Sequence, residues 1–446
     1  MAPPPQTSTL NERATPAPVQ AAAPGKVASA MKPLIDEVFG VELPLRLDFW
    51  DGSSLAPSGA VATLHFKSPD SIRRLLWMPN ELGLARAYVS GDIELSGQIF
   101  DVVVAFRDAK PEGVAAGAAV RALPKAIKAA RRAGAFGGPL QPPPEEARVH
   151  GWRHSLRRDE AAVTHHYDVG NDFYRLVLGP MMTYSCARFT EADSTLEEAQ
   201  AAKHELICRK LGLPERPGSR MLDVGCGWGS MAIHAAQHHG ARSVGITLSR
   251  PQAELARRRA EEAGVGDRVE IRVQDYRELG GETFDAISSI GMSEHVGHAK
   301  IDQYFATLRS VLRPQGRLLN HAITSVGGSK LGRNSFVGRY VFPDGELIDV
   351  GKLVLAMEGA GFEVRDVESL REHYARTLRA WVANLESNWN EAVSMVGEPR
   401  TKVWHLYMAG SAVGFEDGGI SIHQILGVLP GARGESGMPP TRRDWG

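Results

Sequence analysis

Three glycines at alternate positions, in the stretch LDVGCGWGS, give the clearest chemical signal in the sequence. An apolar segment precedes them and a helix-like segment follows, so Gly225, Gly227 and Gly229 allow a tight turn in which a ligand can approach the backbone. A dinucleotide site would read G-x-G-x-x-G and carry an acid at the end of the next strand, where this chain has Thr247. The turn therefore predicts a different small-molecule site at the carboxyl edge of a parallel sheet, with Asp223 beside it.

A second group of reactive side chains is scattered along the chain. Cys186 ends the stretch MTYSC, and a cysteine before a helix is usually a small buried apolar residue. Glu294 would usually be a solvated loop residue, and His321, inside an apolar segment, would usually be a core histidine. His295 and His298 lie near Glu294 in the sequence, but two histidines and one acid lack a further ligand, so no metal site is predicted. Taken alone, these residues do not define a reaction.

From about residue 151 onward, the segments that must position these residues alternate between strand and helix patterns. This order is typical of a doubly wound α/β fold, a mainly parallel sheet with helices on both faces. Residues 325–430 are expected to be a helical elaboration rather than a continuation of the winding. The predicted strands are RMLDV, SVGIT, VEIRVQD, FDAISSIG and GRLLNHAIT, and the predicted helices between them are MAIHAAQHH, PQAELARRRAEEAG and KIDQYFATLRSVL.

Changes in composition divide the chain into five parts. Residues 1–27 and 431–446 are rich in Pro, Ala, Gly and polar residues, which predicts disorder. Residues 28–135 are patterned and predict a small N-terminal α+β domain. The Pro-rich segment 136–150 predicts a stiff linker, and 151–430 form the α/β domain.

A basic segment precedes the linker. Arg121, Lys125, Lys128 and Arg132 recur at helical spacing, no acid interrupts them, and apolar residues share another side. Two interpretations stay open: a solvated face on an Ala-rich connector, or a helix that contacts anionic lipid headgroups. Pro124 is expected to kink the helix in either case.

The overall composition excludes several classes of protein. The 51 basic and 52 acidic residues nearly cancel, so no nucleic-acid partner is expected. The three cysteines are far apart, which argues against a disulfide framework and favours a reducing compartment. Because neither a signal peptide nor a long apolar span is evident, the protein is expected to be cytoplasmic.

Several motifs together resemble one family. The stretches HHYDVGNDFY, MTYSC, LDVGCGWGS, GITLSRPQ, QDYRE, GMSEHVG and HYARTLRAW occur in the order and spacing of cyclopropane-fatty-acyl-phospholipid synthases and their actinobacterial relatives, the fatty-acid methyltransferases of the 10-methylene or tuberculostearic type. The resemblance covers residues 151–430 and extends more loosely over the N-terminal domain through ARAYVSGDIELSG. It implies a class I methyltransferase fold that uses S-adenosylmethionine.

The resemblance also implies roles for individual residues. The residues matching cofactor contacts are Tyr167, Tyr184, Ser185, Asp223, Gly225, Gly227, Gly229, Thr247, Leu248, Gln252, Asp275 and Tyr276. Members of the family hold a bicarbonate ion in the active site, and the matching catalytic positions are Cys186, Glu294, His321, the backbone of Ile323, and Tyr374. By this resemblance the thiol of Cys186 lines a catalytic pocket.

The implied reaction is one-carbon addition to the double bond of an unsaturated acyl chain in a phospholipid at the inner leaflet. Methyl transfer to an alkene leaves a carbocation, so the site must exclude water and remove a proton. Ser293 replaces the phenylalanine usual in the family, which leaves open a cyclopropane or a methylene product, the latter needing a separate reductase to become a methyl branch. A homo-oligomer, namely a dimer, is also expected. Two alternatives remain: an amine N-methyltransferase on the same fold, and a membrane-binding scaffold.

Overall fold

The computed structural model describes residues 25–39, 41–109, 116–147, 169–328, 332, 334–343 and 345–444. Tyr167, residues 1–24 and the side chain of Arg121 are outside the described part of the chain. Within the described ranges, two sheets divide the chain into an N-terminal region and a larger C-terminal domain. No helix in these ranges is long and apolar enough to cross a bilayer.

The N-terminal region is a small sheet covered by helices, as expected. Its strands alternate buried and partly exposed residues, so that one face, including Leu45, Leu47 and Phe49, joins the core. The strands, in the order β2-β1-β3-β4, are β1 (Leu45–Phe49), β2 (Ser54–Leu55), β3 (Ala62–Phe66) and β4 (Ile93–Ser96). The helices are α1 (Lys26–Phe39), α2 (Pro69–Trp77), α3 (Glu81–Val89), α4 (Ile99–Asp108) and α5 (Ala116–Arg132).

Helix α1 begins earlier than the sequence predicted. The segment 1–27 was expected to be disordered, yet Lys26 and Val27 are helical. The Val27 N–H donates to Asp51 Oδ2 at 3.0 Å, and the neighbouring Ala28 N–H donates to Ser53 Oγ at 3.0 Å. A loop of the small sheet therefore caps the start of α1.

The C-terminal domain is built on a mainly parallel sheet, which confirms the class I methyltransferase fold. Strand order is β11-β12-β9-β8-β5-β6-β7, and β10 pairs with β9 outside this path. The strands β5 to β9 pair in parallel, so their carboxyl ends meet at one edge. They are β5 (Arg220–Val224), β6 (Arg242–Thr247), β7 (Val269–Val273), β8 (Phe284–Ile290), β9 (Leu312–Ser325), β10 (Ile348–Asp349), β11 (Glu363–Ser369) and β12 (Ile420–Val428).

Helices cover this sheet and build a wall beside its carboxyl edge. They are α6 (Asn171–Leu178), α7 (Leu196–Leu211), α8 (Ser230–His239), α9 (Arg250–Glu262), α10 (Ser293–Val296), α11 (Ile301–Ser310), α12 (Phe336–Tyr340), α13 (Val350–Gly359), α14 (Arg371–Ser387), α15 (Trp389–Val396) and α16 (Glu398–Glu416). Helix α7 begins with a capping box between Thr195 and Glu198 and ends at the left-handed Gly212.

The segment 325–430 is not only helical. It contributes α14, α15 and α16, but β11 and β12 extend the sheet in antiparallel order next to β9. The expectation of a helical elaboration rather than a continuation of the winding therefore holds for α14, α15 and α16 but was wrong for Glu363–Ser369 and Ile420–Val428. The run ISIHQILGV is a short apolar segment, and periodicity alone does not separate a buried strand of this kind from a helix.

The described part of the Pro-rich segment is fixed to the folded chain. The carbonyl of Gly137 accepts from Trp77 Nε1 at 2.7 Å, and the buried Glu146 pairs with Arg86 at 2.8 Å. The Ala147 N–H donates to the carbonyl of Arg339 in the C-terminal domain at 2.8 Å. Residues 136–147 thus follow a defined path from one domain to the other.

The C-terminal residues also pack against the sheet domain. Arg442 lies 2.7 Å from the buried Asp366, and the carbonyl of Gly437 accepts a hydrogen bond from the buried Arg317. The prediction of disorder for 431–446 was therefore wrong for 431–444, because these residues satisfy buried charged groups that composition does not reveal.

Candidate active site

The glycine turn joins β5 to α8, and a side chain would be unfavourable at each of its three glycines for a different reason. All three have positive φ, 73° at Gly225, 53° at Gly227 and 80° at Gly229. A Cβ at Gly225 would collide with the thioether of Met292, and one at Gly229 would lie 3.1 Å from Ala256. A Cβ at Gly227 would meet no protein atom within 4 Å, so this position borders open space where a ligand fits.

Asp223 lies at the end of β5, just before the turn. Its carboxyl is buried and accepts a hydrogen bond from Ser288 Oγ at 2.7 Å. Burial raises its pKa to about 6, although the Ser288 hydroxyl and the charge of Lys203 oppose the rise. Asp223 is thus held rigidly beneath the glycine turn.

The next two strands bring further predicted residues to the same edge. Thr247 Oγ1 donates to Gln252 Oε1 at 3.0 Å, which fixes both side chains at the end of β6. After β7, burial opposes ionisation of Asp275, but hydrogen bonds from Arg277 outweigh it and lower the pKa of the carboxyl. The ring of Tyr276 packs edge-on against another tyrosine at 4.8 Å.

Lys203 on α7 is a central residue of the site that sequence reasoning missed. Its ammonium group is buried and donates to Ser185 Oγ at 3.0 Å. Burial lowers its pKa to about 7, against the pull of Cys186 and Asp223. In the stretch EEAQAAKHELICRKL it is indistinguishable from a solvated helical lysine, and only tertiary packing shows otherwise.

Most of the predicted cofactor residues surround one cavity. Those lining it are Tyr184, Ser185, Asp223, Gly225, Gly227, Thr247, Leu248, Gln252, Asp275 and Tyr276. Gly229 caps α8 at the base of the turn, and Tyr167 is not among the described residues. Lys203, Trp228, Met292 and His295 line the same cavity without having been predicted.

Two of the predicted catalytic residues carry buried atoms ready for a further partner. Glu294 is buried, its Oε1 accepts from the Ile323 N–H at 2.6 Å, and burial raises its pKa to about 7. His321 is 1% exposed, and burial holds its pKa well below the usual value, so the imidazole is neutral. Within the described residues, Glu294 Oε2 and His321 Nε2 make no hydrogen bond.

The other two predicted catalytic side chains are buried beside a helical wall. Cys186 is fully buried, its Sγ lies 3.2 Å from the carbonyl of Ala187, and burial raises the pKa of the thiol. Tyr374 packs between Trp381 and Phe415, at ring distances of 6.0 Å and 4.7 Å. The structure therefore links Glu294 and Ile323 directly, and none of the five predicted catalytic residues is among those that line the cavity at the glycine turn.

An aromatic wall extends from Tyr184, which lines the cavity, through Trp381 to Tyr374. The Tyr184 ring lies 5.6 Å from Tyr174, 5.3 Å from Trp381 and 5.8 Å from Trp404. Its hydroxyl donates to Tyr407 Oη at 3.2 Å. Trp404 and Tyr407 lie on α16 and were not predicted, because helical aromatic residues usually fill a core.

Ser293, where the sequence departs from its family, points into the sheet. Its hydroxyl donates to Asn320 Oδ1 at 2.9 Å, and Ser289 Oγ shares the same acceptor at 3.2 Å. Ser293 is 2% exposed and is not among the residues that line the cofactor cavity. Its expected effect on the product would therefore act through the position of its neighbour Glu294.

The fold and the glycine turn define a class I S-adenosylmethionine-dependent methyltransferase. Residues 154–425 match the mycolic acid cyclopropane synthetase family, to which the chain belongs. The chain is 41% identical to a "probable fatty acid methyltransferase" of Mycobacterium tuberculosis, over 89% of this chain and 93% of that protein.

Two further relatives agree with this assignment. The cyclopropane-fatty-acyl-phospholipid synthase of Escherichia coli is 38% identical, over 60% of this chain and 68% of its own length. The crystal structure of mycolic acid cyclopropane synthase CmaA1 with SAH and CTAB superposes with a TM-score of 0.56 at 34% identity, covering 60% of this chain and 97% of that one. The family resemblance noted from the motifs is thus confirmed.

Proposed function

We propose that this enzyme transfers the methyl group of S-adenosylmethionine to the double bond of an unsaturated acyl chain esterified in phospholipid. The named relatives act on fatty acids or fatty acyl phospholipids by their descriptions. The observation that carries the proposal is the buried carboxyl of Glu294 on α10, the same helix that lines the cofactor cavity through His295 and Val296. A base at this depth suits deprotonation of a carbon acid away from water.

The aromatic wall suits the charges of this reaction. Both the sulfonium of the methyl donor and the carbocation formed on the acyl chain are positive and poorly solvated in an apolar site. Tyr184 lines the cavity, its ring centroid lies within 6 Å of those of Tyr174, Trp381 and Trp404, and the Tyr174 and Trp404 rings meet edge-on at 5.3 Å. Cation–π contacts with such rings stabilise positive charge by about 2 kcal/mol or more when water is excluded.

The bicarbonate expected from the resemblance fits the residues in part. Glu294 Oε2 and the neutral imidazole of His321 offer buried polar atoms that lack hydrogen bonds among the described residues. The Ile323 N–H already donates to Glu294 Oε1 and would have to be shared. When bound, bicarbonate would supply a base close to the cation. Glu294, as a carboxylate, would accept at Oε2 the proton that leaves the acyl chain, and the thiol of Cys186 and the hydroxyl of Tyr374 would restrict the pocket.

The same proposal leaves the product as cyclopropane or as a methylene-branched chain. The outcome depends on which proton leaves, and therefore on the position of the carboxyl relative to the cation. Ser293 is hydrogen-bonded into the sheet and immediately precedes Glu294, so its replacement of phenylalanine can set that position. A methylene product would need a separate reductase to become a methyl branch.

Expression in a bacterial host that makes unsaturated phospholipids tests the function. We expect the phospholipid acyl chains of the host to gain the mass of one carbon unit, measured by mass spectrometry against a host carrying the empty vector. Unchanged acyl chains, with a methylated small amine instead, would favour the amine N-methyltransferase alternative and contradict the proposal.

We further propose that α5 and its surroundings dock the enzyme on anionic phospholipid bilayers. Lys128, Arg131 and Arg132 are exposed, and Arg131 stacks over Phe136 at 4.6 Å. Three large apolar side chains, Trp77, Leu123 and Phe136, are 51%, 44% and 46% exposed. Exposed aromatic and aliphatic groups beside cations are the composition of a peripheral membrane contact. Lys125 belongs less clearly to this surface, because it pairs with Glu37 at 2.7 Å.

Neutralising this surface is expected to weaken membrane binding. Each cation near an anionic bilayer contributes about 1 kcal/mol, so changing Lys128, Arg131 and Arg132 to Gln should reduce binding by roughly 100-fold. Co-sedimentation with liposomes containing anionic lipid at low salt measures the effect. A control variant changes three exposed cations of the other domain, Arg242, Arg258 and Lys352, to Gln. Equal losses in both variants, or binding insensitive to salt, would contradict the proposal.

A further inference from the structure

Helices α7 and α8 bring together four side chains that could bind a metal ion. One ligand atom each from Cys208, His234 and His239 lie within 4.8 Å of one another. Glu205, one turn before Cys208, places its Oε2 2.9 Å from His239 Nε2 and 3.6 Å from His234 Nε2. This cluster lies outside the predicted catalytic set and contributes nothing to the proposed reaction.

The cluster is buried and has unused hydrogen-bonding capacity. Cys208 is fully buried and His234 is 9% exposed. Within the described residues, His234 Nε2 makes no hydrogen bond, and its distance to Glu205 is too long for one. His204, whose ring lies 5.4 Å from that of His234, also has a buried Nδ1 without a partner in the described part of the chain. Buried imidazole nitrogens without partners are costly and are normally explained by an additional ligand.

We propose that Cys208, His234, His239 and Glu205 bind a Zn²⁺ ion between α7 and α8. A thiolate, two imidazoles and a carboxylate are ligands that Zn²⁺ accepts in tetrahedral sites. With Zn–N and Zn–S distances of about 2.0 and 2.3 Å, ligand atoms in such a site lie roughly 3.3 to 3.6 Å apart. The observed spacing of up to 4.8 Å among Cys208, His234 and His239 therefore needs a contraction that side-chain rotation can provide, and Glu205 would join from its place beside the two histidines.

Access and charge are compatible with metal uptake. His239 is partly exposed and lies next to the exposed His238 at the end of α8, which gives an ion a route from solvent. On binding, the Cys208 thiol releases its proton to solvent and the sulfur donates to the metal, so affinity rises with pH. The Zn²⁺ charge is balanced by the thiolate and the Glu205 carboxylate.

The site would couple metal binding to the cofactor cavity. Helix α7 carries Lys203 and Gln200, which donate to the side chain and the carbonyl of Ser185 at 3.0 Å and 2.9 Å. Helix α8 directly follows the glycine turn, and its Ser230 Oγ donates to the carbonyl of Met181 at 2.7 Å. An ion that joins α7 to α8 would fix these two supports relative to each other and stabilise the fold.

Nothing in the sequence pattern indicates this site. The three cysteines are isolated, and the stretch HAAQHH reads as the end of an amphipathic helix. Its ligands come from two helices separated by a strand, so their proximity depends on how α7 and α8 pack. The predicted absence of a metal site rested on spacing within single segments, where the required pattern does not occur.

Metal titration of the full-length chain tests the proposal. After treatment with a chelator, the protein is titrated with Co²⁺, which takes the same ligands as Zn²⁺ and gives a charge-transfer absorption when bound to thiolate. We expect one equivalent to bind with this band, Zn²⁺ to displace it, and Zn²⁺ to raise the midpoint of thermal unfolding. Cys208→Ser should abolish the band. His239→Gln should weaken binding by more than the about 10- to 100-fold typical of outer-shell changes.

The control is His238→Gln, which removes an exposed histidine whose ring packs 4.4 Å from that of His234 but leaves all four proposed ligands in place. It should bind Co²⁺ as wild type does, whereas adventitious surface binding would be weakened by it. Should Cys208→Ser fail to fold, His239→Gln at the solvent edge decides the matter. Absence of the charge-transfer band in wild type, or equal affinity in wild type and His239→Gln, would overturn the proposal.

Discussion

Replacing Gly227 by valine is expected to weaken S-adenosylmethionine binding by on the order of 100-fold, about 2.7 kcal/mol. Gly227 has a φ of 53°, and a side chain there would enter the open space of the cofactor cavity rather than meet protein atoms. A β-branched residue is also strained at positive φ. Isothermal titration of the purified variant measures the loss.

A matched variant separates the effect of filling the cavity from the effect of backbone strain. Gly264 has a φ of 68°, a Cβ added there would meet no atom within 4 Å, and it lies between α9 and β7 away from the cavity. Gly264→Val should lose folding stability through the same backbone strain, yet bind the cofactor as wild type does. If Gly227→Val kept wild-type affinity, the glycine turn would not be the cofactor site.

Changing Glu294 to Gln is expected to lower turnover by about 100- to 10,000-fold, the range attributed to a general base, with cofactor affinity nearly unchanged. The amide can keep the hydrogen bond from the Ile323 N–H, now 2.6 Å from Glu294 Oε1, but it cannot accept a proton. Cofactor affinity should be nearly unchanged because the proposed role of Glu294 arises only once the cation forms. Cys186→Ser should lower turnover in the same selective way.

The pH dependence gives a second readout for Glu294. Because its pKa is about 7, wild-type kcat/KM should rise with pH through 7 as the carboxylate forms, and Glu294→Gln should lack this rise. Its folded pKa lies above the ordinary 4.5, so the unfolded chain ionises first and wild type loses stability between pH 4.5 and about 7. That loss is roughly 3 kcal/mol. The glutamine variant escapes it and should be no less stable than wild type above this range.

An exposed acid outside the proposed site provides the control for Glu294→Gln. Asp302 is an exposed acid on the neighbouring helix α11, and Asp302→Asn should leave turnover and its pH profile unchanged. If Glu294→Gln or Cys186→Ser lost cofactor affinity in proportion to turnover, the buried pocket would belong to cofactor binding and not to proton removal.

The cavity at the carboxyl edge of the sheet could be predicted from the sequence because its determinants are local. The turn at Gly225, Gly227 and Gly229 needs left-handed backbone, which glycine reveals directly, and the strands before it are apolar runs of the right length. Thr247 and Asp275 follow because parallel strands end at one edge. The catalytic set came from the family resemblance, and residue type alone would have placed Cys186 and His321 in a core.

The remainder of the site depends on packing between distant segments. Lys203 becomes a buried cation only where α7 meets the loop that carries Ser185, and Tyr407 reaches Tyr184 across 223 residues of chain. The Cys208 cluster is formed by two helices with ordinary sequence patterns. Strand β12 was missed because a short apolar run does not reveal its period. Composition predicted disorder in 431–444, although Arg442 pairs with the buried Asp366.

One measurement tests the central claim, one-carbon addition to an acyl double bond, most directly. Purified enzyme is incubated with S-adenosylmethionine labelled in its methyl group and with liposomes of monounsaturated anionic phospholipid, and the extracted lipid is analysed by proton and carbon NMR. We expect the label in the acyl chain at the former double bond, in upfield cyclopropane signals or in olefinic methylene signals. Label confined to the headgroup, to an added amine or to unreacted cofactor, with the double bond intact, would contradict the proposed function.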